Sequence, residues 1–169
     1  MTANGHRYVV MGVAGSGKTV IGAAFARAIG AEFVDGDDYH SAENVARMAA
    51  GIPLTDADRA AWLHALAEQL GEAKRRGTDL VLACSALKRR YRDVLRSEAP
   101  DLQLIFLHGP TPVLAGRLGK RRGHFMPPSL LDSQLAALEE PAPDEEAWAV
   151  DVRESPADIV RALAARASQ

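Results

Sequence analysis

Eight consecutive residues, Gly12-Val13-Ala14-Gly15-Ser16-Gly17-Lys18-Thr19, satisfy the pattern G-x-x-x-x-G-K-[ST] at every fixed position. The chemistry of that spacing is phosphate binding. Glycines let the backbone curl into positive-φ conformations, so that successive N–H groups face phosphate oxygens. A helix opening at the end of the loop adds unpaired N–H groups and the positive end of its dipole. Lys18 suits the β- and γ-phosphates of a nucleoside triphosphate, and the Thr19 hydroxyl suits Mg²⁺. The same residues could form a glycine-rich turn that merely joins a strand to a helix. The flanks decide against that. Arg7-Tyr8-Val9-Val10-Met11 has the composition of a buried strand, and Thr19 to Ile29 is a helical run with one internal glycine, Gly22.

Further residues with chemical potential fall in short polar stretches. Asp35-Gly36-Asp37-Asp38-Tyr39-His40 crowds three carboxylates beside the expected phosphate site. One carboxylate there could support Mg²⁺ and another could accept a proton from an attacking hydroxyl. A turn and a helix cap would account for one aspartate or two, but not for all three. Cys84-Ser85-Ala86-Leu87-Lys88 and His108 also follow expected strands. Arg117, Lys120, Arg121 and Arg122 gather before Gly123-His124-Phe125-Met126-Pro127-Pro128. They are either a solvated helix end or a lid that brings guanidinium groups onto a γ-phosphate and excludes water. Lys88, Arg89, Arg90 and Arg92 form a second basic group, read mostly as helix-surface charge, with Lys88 closest to the site. The five histidines lack metal-ligand spacing. His6 and His64 read as surface residues, Trp62 and Trp148 as packing residues, and Cys84 as an inert buried thiol.

The elements that must position these groups alternate in type. Ala31–Asp35 reads as a second strand, and Ser41 caps a helix through Ala50 that Gly51 closes. Ile52-Pro53-Leu54 is extended, and Thr55 or Asp56 caps a long helix to Arg76, ended by Gly77. Leu80–Cys84 is a third strand, followed by a helix from Lys88 to about Ser97. Leu102–His108 is a fourth strand, with a helix from Pro112 to about Arg121. A helix over Leu130–Leu138, a fifth strand over Trp148–Val152 and a final helix from Pro156 to about Arg166 complete the chain. Strands alternating with helices imply an α/β fold with a five-stranded parallel sheet and helices on both faces. Ligands of such a sheet bind beyond the carboxyl ends of its strands.

Composition bounds the function classes. A chain of 169 residues suits one domain. A net charge of −2 gives no field to recruit nucleic acid or an anionic membrane. Cys84 is the only cysteine, which fits a reducing cytoplasm, and no signal peptide or membrane-spanning run is apparent. A small GTPase-like switch would need a guanine-reading Asn-Lys-x-Asp tetrad, which the sequence lacks.

Along nearly its whole length the chain resembles the bacterial-type gluconokinases. The likeness includes the phosphate loop, Asp35-Gly36-Asp37 with His40 and Asn44, and Met48-Ala49 leading to Gly51-Ile52-Pro53-Leu54. It continues through Asp56, Asp58-Arg59, Trp62-Leu63, Cys84-Ser85-Ala86-Leu87-Lys88 and Tyr91-Arg92-Asp93. Arg117-Leu118, Arg121, Gly123-His124-Phe125, Gln134 and Leu138-Glu139-Glu140-Pro141 complete it. Ser41 departs from a frequent proline, and Thr19 replaces a frequent serine while keeping the hydroxyl. The resemblance implies a P-loop NTPase fold like that of shikimate and nucleoside monophosphate kinases, with sheet order 2-3-1-4-5. One kinase domain would span 1–169, with a lid around 117–129. It implies phosphorylation of D-gluconate by ATP with Mg²⁺, in a cytoplasmic homodimer. By the same likeness Asp37 receives the proton of the 6-hydroxyl and Asp35, with Thr19, supports Mg²⁺. Arg59 and Lys88 are candidates for the gluconate carboxylate, with His40 and His124 as further acceptor-site candidates. Arg117 is expected on the adenine and Arg121 at the transferring phosphoryl. Shikimate and nucleoside monophosphate kinases are the competing readings within this fold.

Overall fold

The computed structural model describes residues 5–119 and 129–169. At its centre is β1 (Arg7–Met11), buried at every position because it pairs in parallel with a strand on each side. Its alternate residues divide between two cores, as the two-residue period of a strand requires. Tyr8 and Val10 face the layer of α1 (Lys18–Ile29) and α7 (Pro156–Ala167), where Ile21, Phe25, Ile159 and Leu163 are buried. Val9 and Met11 face α3 (Asp56–Arg76) and α4 (Arg89–Glu98), against Trp62, Leu63, Leu66, Leu70 and Leu95.

The outer strands are β2 (Glu32–Asp35), β3 (Leu80–Ala83), β4 (Gln103–His108) and β5 (Trp148–Asp151). All pairings are parallel and the order is β2-β3-β1-β4-β5. That is the arrangement expected above, and every expected strand end agrees to within one residue. Helix α2 (Ala42–Ala49) starts at Ser41, whose hydroxyl accepts from Asn44 N at 3.1 Å. For α3 the choice between two caps resolves to Thr55. Its hydroxyl accepts from Asp58 N at 3.1 Å, and Asp58 accepts in return from Thr55 N at 2.9 Å. Helix α5 (Thr111–Gly119) and α6 (Ser129–Ala137) flank the residues outside the description. The expected end of α5 near Arg121 and the loop to Pro128 therefore lie outside the described residues.

Two short 3₁₀ turns, Gly36–Tyr39 and Pro143–Glu145, were not foreseen. The second explains a correction. Arg92 is not a surface charge; it is 1% exposed. Its Nε and Nη2 donate to the Glu145 carboxylate at 2.7 and 3.0 Å, and Nη1 donates to Ala86 O at 2.8 Å. Arg96 and Ala142 N add further donors to Glu145 at 2.7 and 2.8 Å. A buried charge needs this density of partners to offset its lost hydration.

Although burial alone raises a carboxyl pKa, these donors outweigh it and hold Glu145 down at about 2. The unfolded value is near 4.5, so the stabilisation is complete above that pH and is lost as pH falls toward 2. Glu145→Ala strands a buried guanidinium, and should cost about 3–5 kcal/mol at neutral pH. Thermal melts should drop by roughly 10 °C. A melt within about 2 °C of the parent would show that the ion pair contributes no net stability.

Candidate active site

The phosphate loop leaves the end of β1 and returns into α1. Gly15 and Gly17 have φ of 84° and 93°, in the left-handed region that a side chain disfavours. Gly15 also lacks room, since a Cβ there would lie 2.5 Å from Leu114 O. Helix α1 opens at Gly17 without a side-chain cap, leaving its first-turn donors facing the loop. The Ser16 hydroxyl is buried and has no hydrogen-bond partner among the described residues. Lys18 Nζ donates to Val13 O at 3.2 Å. Such a loop of inward amides with a cation and an orphaned hydroxyl suits a polyphosphate.

Beside it stands the acidic turn at the end of β2. Asp35 Oδ2 accepts from the Thr19 hydroxyl at 3.0 Å, and Oδ1 accepts from Asp37 N at 3.0 Å. The turn passes flush against β3, because a Cβ on Gly36 would meet Ala83 O at 2.5 Å. Trp62 Nε1 donates to Gly36 O at 2.7 Å, so α3 pins the same turn from its other side. Trp62 is the packing residue expected from the sequence, but it also holds the carbonyl of the residue before Asp37. Asp37, Lys18 and Arg59 all act electrostatically on the Cys84 thiol at the end of β3. That thiol is buried, and desolvation pushes it up to about 12, an environment that disfavours the thiolate.

His40 lies face to face with Trp62, with ring centroids 4.0 Å apart and 16° between planes. Its Nδ1 is 3.5 Å from Asn44 Nδ2, which itself donates to Asp58 O at 2.8 Å. Burial first, and then the Arg59 cation, lower the imidazole pKa to about 4. His40 therefore enters the site as a neutral ring.

A cleft of about 260 Å³ runs between the start of α3 and helix α6, lined in part by Leu54, Asp56, Arg59, Lys88, Ser133 and Gln134. Arg59 Nη1 donates to Leu54 O at 2.5 Å and to the Tyr91 hydroxyl at 3.3 Å. The Arg59 guanidinium and Lys88 Nζ lie 5.4 and 5.7 Å from the Tyr91 ring centroid. Asp56 accepts from Tyr91 Oη and Arg90 and lies 3.7 Å from Lys88 Nζ. The Tyr91 hydroxyl hydrogen bond is the largest influence holding the Asp56 carboxyl below its usual range.

A second pocket, about 250 Å³, is lined by the loop itself. Gly15, Ser16, Gly17, Val20, Arg117 and Pro156 are among its lining residues. Val20 is 57% exposed there, an apolar side chain left open on a polar helix start. Arg117 thus lines the same pocket as the phosphate loop.

The structure brings Lys18, Thr19, Asp35, Asp37, His40, Arg59, Lys88 and Arg117 to the carboxyl edge of the sheet. Arg121 and His124 lie outside the described residues. Gln134, Asp56 and Tyr91 had no role in the sequence reading. Gln134 Oε1 accepts from Ala14 N of the phosphate loop at 2.7 Å. Its signal was a polar residue in the apolar run Leu130-Leu131…Leu135, which a buried helix face would exclude unless the amide had a partner.

A family model described as an AAA domain matches residues 8–141. A gluconokinase of Gluconobacter oxydans (strain 621H) is 47% identical over 152 residues, which cover 90% of this chain and 85% of that one. The chain belongs to the gluconokinase family. A crystal structure of a gluconokinase from Sinorhizobium meliloti 1021 matches 99% of the chain and 95% of its own length, with a TM-score of 0.85 and 48% identity. A shikimate kinase from Bacteroides thetaiotaomicron, at a TM-score of 0.71 and 19% identity over 97% of this chain and 99% of its own, shares the fold. The expected relation to gluconokinases and to the shikimate kinase fold is therefore observed in this family member.

The stacked, neutral His40 gives a direct test by imidazole NMR. Its pKa should read about 4, so the ring stays neutral down to about pH 5. A folded pKa below the unfolded 6.5 makes this contribution to stability full above 6.5 and lost as pH falls toward 4. A midpoint near 6.5 in the folded protein would mean that the ring is solvated and the stack open.

Proposed function

We propose that this chain transfers the γ-phosphoryl group of ATP to the 6-hydroxyl of D-gluconate, giving 6-phospho-D-gluconate and ADP. The observation that carries the reading is a phosphate loop that lines one pocket itself and is tied to a second, cationic cleft through Gln134, which lines that cleft and accepts from Ala14 N. The loop-lined pocket is an apolar slot beside Arg117, and the other cleft presents Arg59 and Lys88. The likeness to gluconokinases supports gluconate as the acid accommodated there.

In this mechanism the loop amides and Lys18 hold the β- and γ-phosphates, and Arg117 lies on the adenine. Arg59 and Lys88 receive the gluconate carboxylate, one as a planar fork and one as a point cation. His40 and His124 complete the acceptor site. Asp37 orients the 6-hydroxyl and takes its proton as the oxygen bonds to the γ-phosphorus and the bond to the ADP oxygen breaks. Arg121 meets charge on the transferring group. The lid over 117–129 excludes water, which would otherwise compete as acceptor.

The donor set beside the loop fits Mg²⁺. Thr19 and Asp35 supply hard oxygens within hydrogen-bond reach of each other, and Mg²⁺ takes one or two protein oxygens with water and phosphate for the rest. Thr19 would be the direct ligand and Asp35 its support, and an ion held there would supply positive charge to offset the negative charge of the nucleotide. The reading further takes the protein as a single domain over 1–169, cytoplasmic and homodimeric, acting on no nucleic acid or membrane.

A coupled assay with gluconate, ATP and Mg²⁺ tests the activity, and shikimate and nucleoside monophosphates are the competing acceptors. Asp37→Asn keeps size and hydrogen bonding but cannot take a proton. Its kcat should fall by about 10²-fold or more at saturating substrates, with ATP affinity little changed. A variant keeping more than about a tenth of parental kcat would remove the base role. Lys18→Ala should nearly abolish turnover in a folded protein, because the transition state depends on fixed charge. Undiminished turnover would remove the phosphate-loop role.

A further inference from the structure

Helix α4 is built against its own dipole. Its first turn has no acidic residue and carries Arg89 and Arg90, although a helix N-terminus favours negative charge. Its N-cap is Lys88, whose side chain has no oxygen to accept from the first-turn amides. The acids come instead from the segment after α6. Glu139 Oε1 accepts from Arg89 N at 3.0 Å, a cap supplied from 50 residues away. Asp144 pairs with Arg89, and Glu145 with Arg92 and Arg96.

Glu139 does a second thing. Its backbone N donates to Leu87 O at 2.7 Å. Lys88 is therefore bracketed, with one Glu139 hydrogen bond on the residue before it and one on the residue after it. The loop entering this bracket is strained, since Ala86 sits at φ 45°, a conformation that costs a non-glycine residue free energy and needs support. That support is the Arg92 bond to Ala86 O. Only five residues before Glu139, Gln134 accepts from Ala14 N. The α6–Glu139 segment thus touches both the phosphate loop and the backbone that presents Lys88. Glu139 is itself exposed, and nothing in the proposed chemistry uses it.

We infer that Glu139 is a positioning residue for the acceptor site: it fixes the Lys88 backbone relative to the phosphate loop, and so sets the affinity for the acid substrate. This rests on the reading of Lys88 as a residue that meets the gluconate carboxylate. Removing the carboxylate leaves the Glu139 N–Leu87 O bond and frees the Arg89 side of the bracket. Lys88 then samples more orientations, which weakens a point-cation contact without touching the ATP side.

The test is steady-state kinetics on the full chain with gluconate and ATP varied separately. Glu139→Ala should raise the gluconate KM by about fivefold, the size of an ordinary lost cap, with kcat and ATP KM held within about twofold. Glu139→Gln keeps an acceptor oxygen, and amides cap as well as carboxylates, so its gluconate KM should return to within about twofold of the parent. Lys88→Ala should raise the gluconate KM further, and Glu139→Ala added to it should change nothing more, because the two act through one contact. If Lys88→Ala raises the gluconate KM while Glu139→Ala only lowers the melting temperature, Glu139 is a structural cap and the inference is overturned with the acceptor site intact. If Lys88→Ala leaves the gluconate KM unchanged, the acceptor role of Lys88 falls and the inference falls with it.

Discussion

Asp35 accepts two hydrogen bonds at once, from the Thr19 hydroxyl and from Asp37 N, both at 3.0 Å. The two donors come from different units of the fold, one from the first turn of α1 and one from the turn after β2. A single carboxylate therefore sets the spacing between the nucleotide loop and the acidic turn. This geometry is possible only because β3 lies between β1 and β2 and the turn can press onto it at Gly36, where a Cβ would meet Ala83 O at 2.5 Å. Trp62 closes the arrangement from α3. Phosphoryl transfer asks mainly for position and fixed charge. The sheet order delivers position by placing three strand ends side by side.

Charge is sorted along the same edge. Helix α4 concentrates cations, and the acids of the 139–145 segment take up Arg89, Arg92 and Arg96. Arg90 is taken up by Asp56. Lys88 stands at the cleft with Asp56 at 3.7 Å, a separation too long for a hydrogen bond. Arg59 spends its Nη1 on Leu54 O and Tyr91. The cleft thus presents Arg59 and Lys88 held in place by neighbours, with Asp56 offsetting part of the charge. Under the proposed reading an acid substrate would meet a preorganised pair, and preorganisation reduces the entropy lost on binding.

Much of this was legible because it is local. The strand, loop and helix from Arg7 to Ile29 form a contiguous signal, and the two-residue and helical periods place the remaining strands and helices within a residue or two. The caps at Ser41 and Thr55 follow from hydroxyls at helix starts. What escaped is long-range or too short for a period. Arg92 read as a surface charge because its partner Glu145 is 53 residues away, and nothing near Arg92 marks it as buried. Gln134 had no role because its partner is a backbone amide 120 residues earlier, which no side chain signals. The Gly36–Tyr39 turn is four residues long and has no periodicity to detect. Its acids were noticed, but not the double acceptance by Asp35. Arg121 and His124 were chosen from motif and placement, and they lie outside the described residues.

The neutral state of His40 follows from the same economy of charge. An imidazolium there would sit near the Arg59 guanidinium in a half-buried site, where repulsion is screened less than in water. Stacking on Trp62 gives the ring a partner that needs no charge, and burial disfavours the proton further. Above about pH 5, His40 then adds no charge to that of Arg59, Lys88 and Asp56 among the described residues. An ordinary surface histidine would change that count between pH 5 and 8, and with it the attraction for a monoanionic substrate. Packing against Trp62 thus does two things with one side chain: it anchors the Asp37 turn through Gly36 O, and it keeps the neighbouring imidazole from contributing a variable charge.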